Sequence, residues 1–261
     1  MFDLGRYLAR IGAGPEATLA DLQRAHVASI TFEGLSAHVG EAVPLDPDSL
    51  AAKIVDGGRG GYCFEQNLLF KAALEALGYA VDPHLARVRV GLAPGQIRGR
   101  THLLLHVADG EQHWHVDVGF GGGTPTAPIP WGPGTEHELA GWRFRVVEED
   151  DEWVLQTVEG GAWSDVYVFS AQPSPMIDIE MNNWWTATSP DSPFVAGFLV
   201  SRQSTDGGRL LLTDWGELSL VERTPERTGS IAVERPQVAD LLAERFDLPG
   251  FRVDDQGRLR R

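Results

Sequence analysis

Two alternating segments meet at Asp109-Gly110, and this junction constrains the fold more than any other stretch of the chain. Thr101-His102-Leu103-Leu104-Leu105-His106-Val107 lies before it, and Gln112-His113-Trp114-His115-Val116-Asp117-Val118-Gly119 lies after it. Asp-Gly favours a two-residue type I′ turn, and alternation on both sides supplies two strands that can pair. With Asp109 and Gly110 at the turn, Ala108 faces Glu111, and His102 falls opposite Asp117. Directly opposed residues share a face, with Cβ atoms roughly 4.5–5.5 Å apart, within hydrogen-bonding reach of an imidazole and a carboxylate. Leu103, Leu105, Val107, Trp114, Val116 and Val118 then line the other face, which is expected to be the core face. A one-residue slip would separate His102 from Asp117.

The rest of the chain divides by texture into an α+β arrangement. Residues 1–80 read as a helical bundle. Thr18-Leu19-Ala20-Asp21 has the pattern of a helix N-terminus, and Ser49 to Val55 is a short helical run. Residues 81–175 read as a β-barrel or sandwich of short runs: Leu85–Val90, Leu103–Val107, His113–Val118, Trp142–Val147, Trp153–Val158 and Val166–Phe169. Glu148 to Glu152 is an acidic hairpin turn, expected to be solvated, and Gly119 to Gly134 is a long glycine- and proline-rich loop. Residues 176–261 are mixed and end in a helix carrying Val238, Leu241, Leu242 and Phe246. A chain of 261 residues is long enough for one large domain or two to three small ones.

Cys63 is the only cysteine, and it follows Arg59-Gly60-Gly61-Tyr62 at the start of a helical run through Phe64, Leu68, Leu69, Ala72, Ala73, Ala76 and Leu77, which Gly78 ends. A helix N-terminus favours a thiolate through its unpaired N–H groups and macrodipole. Gly60 and Gly61 would let the backbone approach a ligand closely. The thiol, His102 and Asp117 are the parts of a Cys-His-Asp triad. In such a triad the imidazole takes the thiol proton, and the carboxylate holds the tautomer and stabilises the imidazolium.

Charge and composition narrow the partners. With 37 acidic against 22 basic residues, net charge −15 and only two lysines (Lys53 and Lys71), the chain should repel nucleic acid and anionic membranes. A lone cysteine rules out an intramolecular disulfide and suits a reducing compartment. The opening residues lack a signal-like apolar run, and no stretch is long enough to span a bilayer, so a cytoplasmic location is expected. His113-Trp114-His115 with His106 opposite could hold zinc on one strand face, although a polar outer face explains these histidines equally well, and no metal is expected. The oligomeric state is open at this level.

The motifs carry a resemblance. Arg59 to Asn67, Thr101-His102 and Asp117-Val118-Gly119-Phe120-Gly121-Gly122 resemble the signature of the arylamine N-acetyltransferases. Thr31-Phe32-Glu33-Gly34-Leu35 is similar to the family's Pro-Phe-Glu-Asn-Leu, departing at Thr31 and Gly34, and Ser189 to Phe194 is similar to the segment opening the family's last domain. The resemblance implies a helical bundle, a β-barrel and an α/β lid around a cysteine-protease-like core, with Cys63, His102 and Asp117 as the catalytic triad. It further implies ping-pong transfer of acetyl from acetyl-CoA, through an acetyl-cysteine, to the nitrogen of an arylamine, arylhydrazine or N-hydroxyarylamine. Thr101, Gly121 and Phe194 match positions near CoA; Phe32, Phe64, Val88 and Phe120 match positions lining the acceptor pocket. CoA is a polyanion, and Arg87, Arg89, Arg98 and Arg100 form the densest basic run that could face it. Arg59, Glu65 and Asn67 are expected to be structural, through an Arg59–Glu65 ion pair and an Asn67 network. An amide (macrolactam) synthase or a thiol hydrolase would use the same triad.

Overall fold

Short side-chain caps start the N-terminal helices. In the computed structural model, which describes residues 2–93 and 95–261, the side chain of Asp3 caps α1 (Leu4–Ile11) and that of Thr18 caps α2 (Leu19–Ser29). The two-residue strand β1 (Phe32–Glu33) and the short α3 (Leu35–His38) follow. Asp46 then caps α4 (Pro47–Leu50), which runs into a π-helical turn (Ala51–Asp56) and leads to α5 (Cys63–Ala76). Tyr7, Leu22, Ile54, Phe64, Phe70 and Leu74 bury one face of this bundle against the sheet described next.

Eight antiparallel strands curl into a nearly closed barrel: β2 (Ala80–Val88), β3 (His102–Asp109), β4 (Gln112–Val116), β5 (Ile129–Pro130), β6 (His137–Leu139), β7 (Trp142–Glu149), β8 (Glu152–Glu159) and β9 (Ala162–Phe169). Their order is β5-β4-β3-β2-β9-β8-β7-β6. The β3–β4 hairpin corrects the expected register by two residues. Asp109 pairs with Gln112 and Leu105 with Val116, so the turn is Gly110-Glu111. Gly110 takes φ 62° at the first central position, as a II′ turn requires. Because side chains alternate with a period of two, a two-residue shift keeps every residue on its expected face, and His102 still shares a face with Asp117.

The second correction concerns that face. Leu103, Leu105, Val107, Val116 and Val118 pack in the core with α5, as expected. The opposite face is also buried, because the sheet closes on itself and encloses Leu104, His102 and His115 with Tyr167 and Phe169. The acidic turn is solvated as expected, with Glu148 to Asp151 exposed. Two of its carboxylates still hold arginines: Arg89 pairs with Glu149 as well as with Asp165, and Arg100 with Glu152, so half of the basic run is paired.

The C-terminal part begins with α6 (Met176–Thr188) and α7 (Pro193–Ala196). Strands β10 (Leu199–Gln203), β11 (Arg209–Thr213), β12 (Ser219–Arg223) and β13 (Thr228–Ala232) form a second antiparallel sheet, to which β1 adds an edge through Phe32 opposite Ser201. One face of this sheet, with Val200, Leu212 and Leu220, packs on Val238, Leu242 and Phe246 of α8 (Val238–Phe246), which a 3₁₀ turn (Arg235–Gln237) precedes. The other face looks across a cleft at the barrel. A hairpin of β14 (Arg252–Val253) and β15 (Leu259–Arg260) ends the chain. No helix among the described residues is long and apolar enough to cross a membrane.

Candidate active site

The turn before α5 is held by protein groups on every side. A Cβ on Gly60 would lie 1.8 Å from the Thr31 carbonyl oxygen, and one on Gly61 would lie 2.8 Å from Cβ of Glu65. The glycine pair therefore admits neighbouring chain, not a ligand. Gly61 O accepts hydrogen bonds from Glu33 N (2.9 Å) and Gln66 Nε2 (2.7 Å), and Gln66 Oε1 meets the buried His26 at 3.1 Å. Glu65 accepts from the Tyr62 backbone N–H (3.1 Å) and from Lys53 Nζ (2.7 Å). The expected Arg59–Glu65 pair does not form. Arg59 instead bonds Glu33, at 2.8 Å from Nε and 2.6 Å from Nη2, because β1 brings Glu33 beneath the turn while Lys53 reaches Glu65 from the π-helical turn.

These contacts put Cys63 at the first position of α5, 3% exposed, on the cleft. Its Sγ lies 3.5 Å from the Thr101 carbonyl oxygen, and His102 lines the same cleft beside it. Nε2 of His102 lies 2.8 Å from Oδ2 of Asp117, which leaves Nδ1 as the ring nitrogen for the thiol. Asp117 is fully buried and accepts three further donors: Tyr167 Oη on Oδ2 (2.9 Å), and Asn67 Nδ2 (3.1 Å) and Gly119 N (2.8 Å) on Oδ1. Burial opposes its ionisation, but His102 and the donated hydrogen bonds hold it below the usual carboxylate range. Burial likewise pulls His102 down, yet the Asp117 charge and hydrogen bond, with Cys63 adding to them, raise its pKa to about 9. The arrangement is that of a carboxylate-stabilised imidazolium beside a thiol.

Asn67 ties the two halves of the site together. Its Nδ2 also reaches Leu103 O (2.8 Å), and its Oδ1 accepts from Val118 N (3.1 Å), so one α5 side chain grips both β3, which bears His102, and the segment just past β4, which bears Asp117. Gly119 permits this approach, since a Cβ there would lie 2.8 Å from both Cys63 Cα and Asn67 Nδ2.

Sequence reasoning did not find Tyr167, and it read His115 only as a candidate zinc ligand or outer-face histidine. Nε2 of His115 lies 2.8 Å from Tyr167 Oη, giving a buried chain His115–Tyr167–Asp117–His102. The signal was a phenol and an imidazole within otherwise apolar strand runs, since a buried polar tip needs a partner. His106 and His113 instead bond each other (2.8 Å), so the histidines diverge, and no metal-holding group of three acidic, histidine or cysteine side chains occurs among the described residues.

The cleft above Cys63 has a volume of about 770 Å³. Phe32, Val88, Phe120, Thr101 and Phe194 all line it. Phe64 does not: it is fully buried on the apolar stripe of α5, edge-on to Tyr62. Gly121 also stays behind the lining. Its φ of 79° suits glycine, its Cβ would press on the Phe32 ring at 3.2 Å, and its carbonyl is taken by Gln203 Nε2 (2.6 Å) and Thr124 Oγ1 (3.0 Å).

Comparison with known proteins agrees with this geometry. A family profile described as N-acetyltransferase matches residues 17–251. The arylamine N-acetyltransferase of Escherichia coli (strain K12) is 37% identical over 259 residues, covering 97% of this chain and 90% of the relative. The chain belongs to the arylamine N-acetyltransferase family. It is an acyltransferase of that family. Among solved structures, the Mycobacterium marinum arylamine N-acetyltransferase in complex with CoA superposes with a TM-score of 0.89 at 36% identity, covering 94% of this chain and 93% of that one. A more distant relative, the proansamycin X synthase of Amycolatopsis mediterranei, is 34% identical over 196 residues, with 68% and 71% covered.

The two departures from the family's Pro-Phe-Glu-Asn-Leu segment have local causes. Thr31 Oγ1 donates to the Phe246 carbonyl (2.8 Å), tying β1 to the end of α8. Gly34 makes room for Phe194, whose ring would meet a Cβ there at 2.3 Å.

Proposed function

We propose that this acetyltransferase works by two half-reactions on Cys63. His102 takes the thiol proton and Asp117 stabilises the imidazolium. The thiolate attacks the thioester carbonyl of acetyl-CoA, the tetrahedral intermediate collapses, and CoA leaves as its thiol with the proton from His102. An arylamine, arylhydrazine or N-hydroxyarylamine nitrogen then attacks the acetyl-cysteine, His102 receives the nitrogen's proton, and the thiolate is released. The backbone N–H of Cys63, at the start of α5, is a donor to the oxyanion in both steps.

The observation that carries this reading is the convergence of Cys63 and His102 on one largely apolar cleft, with His102 hydrogen-bonded to the buried Asp117. An apolar wall of Phe32, Val88 and Phe120 suits an aryl ring, and Thr101 and Phe194, on the same cleft, are the residues assigned to the pantetheine arm. The Mycobacterium marinum relative in complex with CoA supports the donor assignment.

Steady-state kinetics test the proposal. Parallel double-reciprocal plots for acetyl-CoA and an arylamine, with activity abolished in a folded Cys63→Ala variant, are expected. Intersecting plots would exclude an acyl-enzyme, and retained activity without Cys63 would exclude the nucleophile. Folded enzyme inert towards acetyl-CoA would turn the reading towards an amide synthase or thiol hydrolase, which share the triad.

A further inference from the structure

One part of the cleft serves neither the thiol nor an aryl ring. Arg209 and Arg223 stand directly opposite each other on β11 and β12, and both line the cleft. Arg209 is only 5% exposed. Its Nε and Nη2, and Nε of Arg223, are buried with no hydrogen-bond partner among the described residues. Its guanidinium lies 3.6 Å from the centroid of the Trp142 ring, and Trp142 is itself fixed by a hydrogen bond to Gly207 O (2.8 Å). The cation is therefore held in place by stacking, without a counter-ion of its own.

This arrangement is costly as it stands. Like charges directly opposed across a sheet pair repel, and a buried guanidinium without a carboxylate is strongly disfavoured. Burial, then the Arg223 charge, lower the Arg209 pKa to about 9. Among the described residues the carboxylate facing the pair is Glu159, with Oε1 3.5 Å from Nη1 of Arg223 and half its side chain in solvent. Arg59, Arg89 and Arg100 all hold carboxylates at 3.0 Å or less, and Arg10 and Arg87, which hold none among the described residues, donate to backbone carbonyls instead. Arg209 differs in leaving buried Nε and Nη2 without either kind of partner among the described residues.

We propose that Arg209 and Arg223 form an anion-binding subsite that holds a phosphate or carboxylate group of a substrate in the cleft. Planar guanidinium forks present paired N–H donors that match the oxygens of either group. The position constrains the ligand. Thr213, Leu211 and Arg209 alternate along the cleft-facing side of β11, so Arg209 lies roughly 13 Å along the strand from Thr213. Near Thr213 stands the aromatic cluster of Trp215, Phe194 and Phe32, the last two lining the cleft with Cys63. Leu211 and Val221 separate that end from the arginines. The occupant is thus an elongated substrate with an apolar middle and an anionic terminus. It is either the phosphate-bearing part of the acyl donor or an acceptor amine carrying a carboxylate. This naming of the ligand rests on the acetyltransferase reading; the anion site itself does not.

Calorimetric titration of the whole enzyme tests the site with matched probes. CoA is compared with pantetheine, which lacks the phosphates, and 4-aminobenzoate with aniline. Inorganic pyrophosphate serves as a probe that needs no reaction. In Arg209→Met and Arg223→Gln, the anionic member of one pair is expected to weaken on the order of tenfold to a hundredfold, while its neutral counterpart stays within twofold. Arg209→Lys keeps the charge but not the fork and should lie between. A change confined to CoA and pyrophosphate assigns the site to the donor; one confined to 4-aminobenzoate assigns it to the acceptor. Should Arg209→Met fail to fold, Arg223→Gln, at a half-exposed position, carries the same test. Ratios unchanged in variants that keep the wild-type melting temperature would overturn the proposal. Arginine-dependent pyrophosphate binding in an enzyme that never acetylates Cys63 would leave the site standing and remove the acetyltransferase reading.

Discussion

Tyr167→Phe removes one oxygen from the buried chain behind His102 and should register in two independent ways. The ring keeps its packing against Phe120 and Phe169, so the perturbation is confined to hydrogen bonds. Asp117 loses one of four donors, and Nε2 of His115 loses its partner. A hydrogen bond to a charged group contributes about 1.5–3 kcal/mol, and orphaning a neutral buried N–H costs about 1 kcal/mol or more. The sum is about 2–4 kcal/mol, which for a chain of this size lowers the melting temperature by roughly 5–15 °C. The second effect concerns charge. The lost donor competed with His102 for Oδ2, so more of the Asp117 charge falls on the imidazolium. Asp117 itself starts below the usual carboxylate range, so losing one of its donors still leaves it ionised at neutral pH. The His102 titration, followed by NMR on histidine-labelled enzyme, should therefore move upward from about 9. A downward or absent shift, or an unchanged melting temperature, would refute the placement of Tyr167 on Asp117.

Other substitutions probe the frame around the thiol. Glu33→Gln leaves Arg59 buried without its main counter-ion and should destabilise by about 3–5 kcal/mol in chemical denaturation, with little direct effect on thiol chemistry. Gly119→Ala forces a Cβ towards Cys63 Cα, and the overpacking should cost about 1–3 kcal/mol while slowing Cys63 alkylation through displacement of His102. Acid should unfold the enzyme through histidines buried neutral. His26 and His115 have folded pKa values lowered by burial to about 3 and about 4, so the folded state binds fewer protons than the unfolded one. Stability is intact above about pH 6.5 and is lost as pH falls towards 4. His102 has the opposite sign: with a folded pKa raised to about 9, its contribution is complete below about pH 6.5 and lost as pH rises through 9. A melting temperature flat from pH 4 to 6 would contradict the burial of the first two.

The thiol, imidazole and carboxylate were legible because each stood in a pattern with its own physics: a helix start, and one face of a hairpin. The face assignment survived a turn misplaced by one residue, which shifts the pairing by two, since parity is all that alternation encodes. The enclosure of that face was not legible, because alternation looks the same on an open sheet and inside a barrel whose second wall comes from β7 to β9. Tyr167 and the Arg59–Glu33 pair were missed for a related reason. Both depend on partners tens of residues away, brought together by strand order and by β1. Arg209 and Arg223 carry no motif. Only the cross-strand register and the buried N–H groups left without partners among the described residues single them out.

The central claim is an acyl-enzyme on Cys63, and intact-protein mass spectrometry after brief exposure to acetyl-CoA without acceptor tests it most directly. The account predicts one added acetyl group, mapped to the peptide bearing Cys63 and released when an arylamine or hydrazine is added. An unmodified protein with an alkylatable Cys63, or an acetyl group on any other residue, would contradict it.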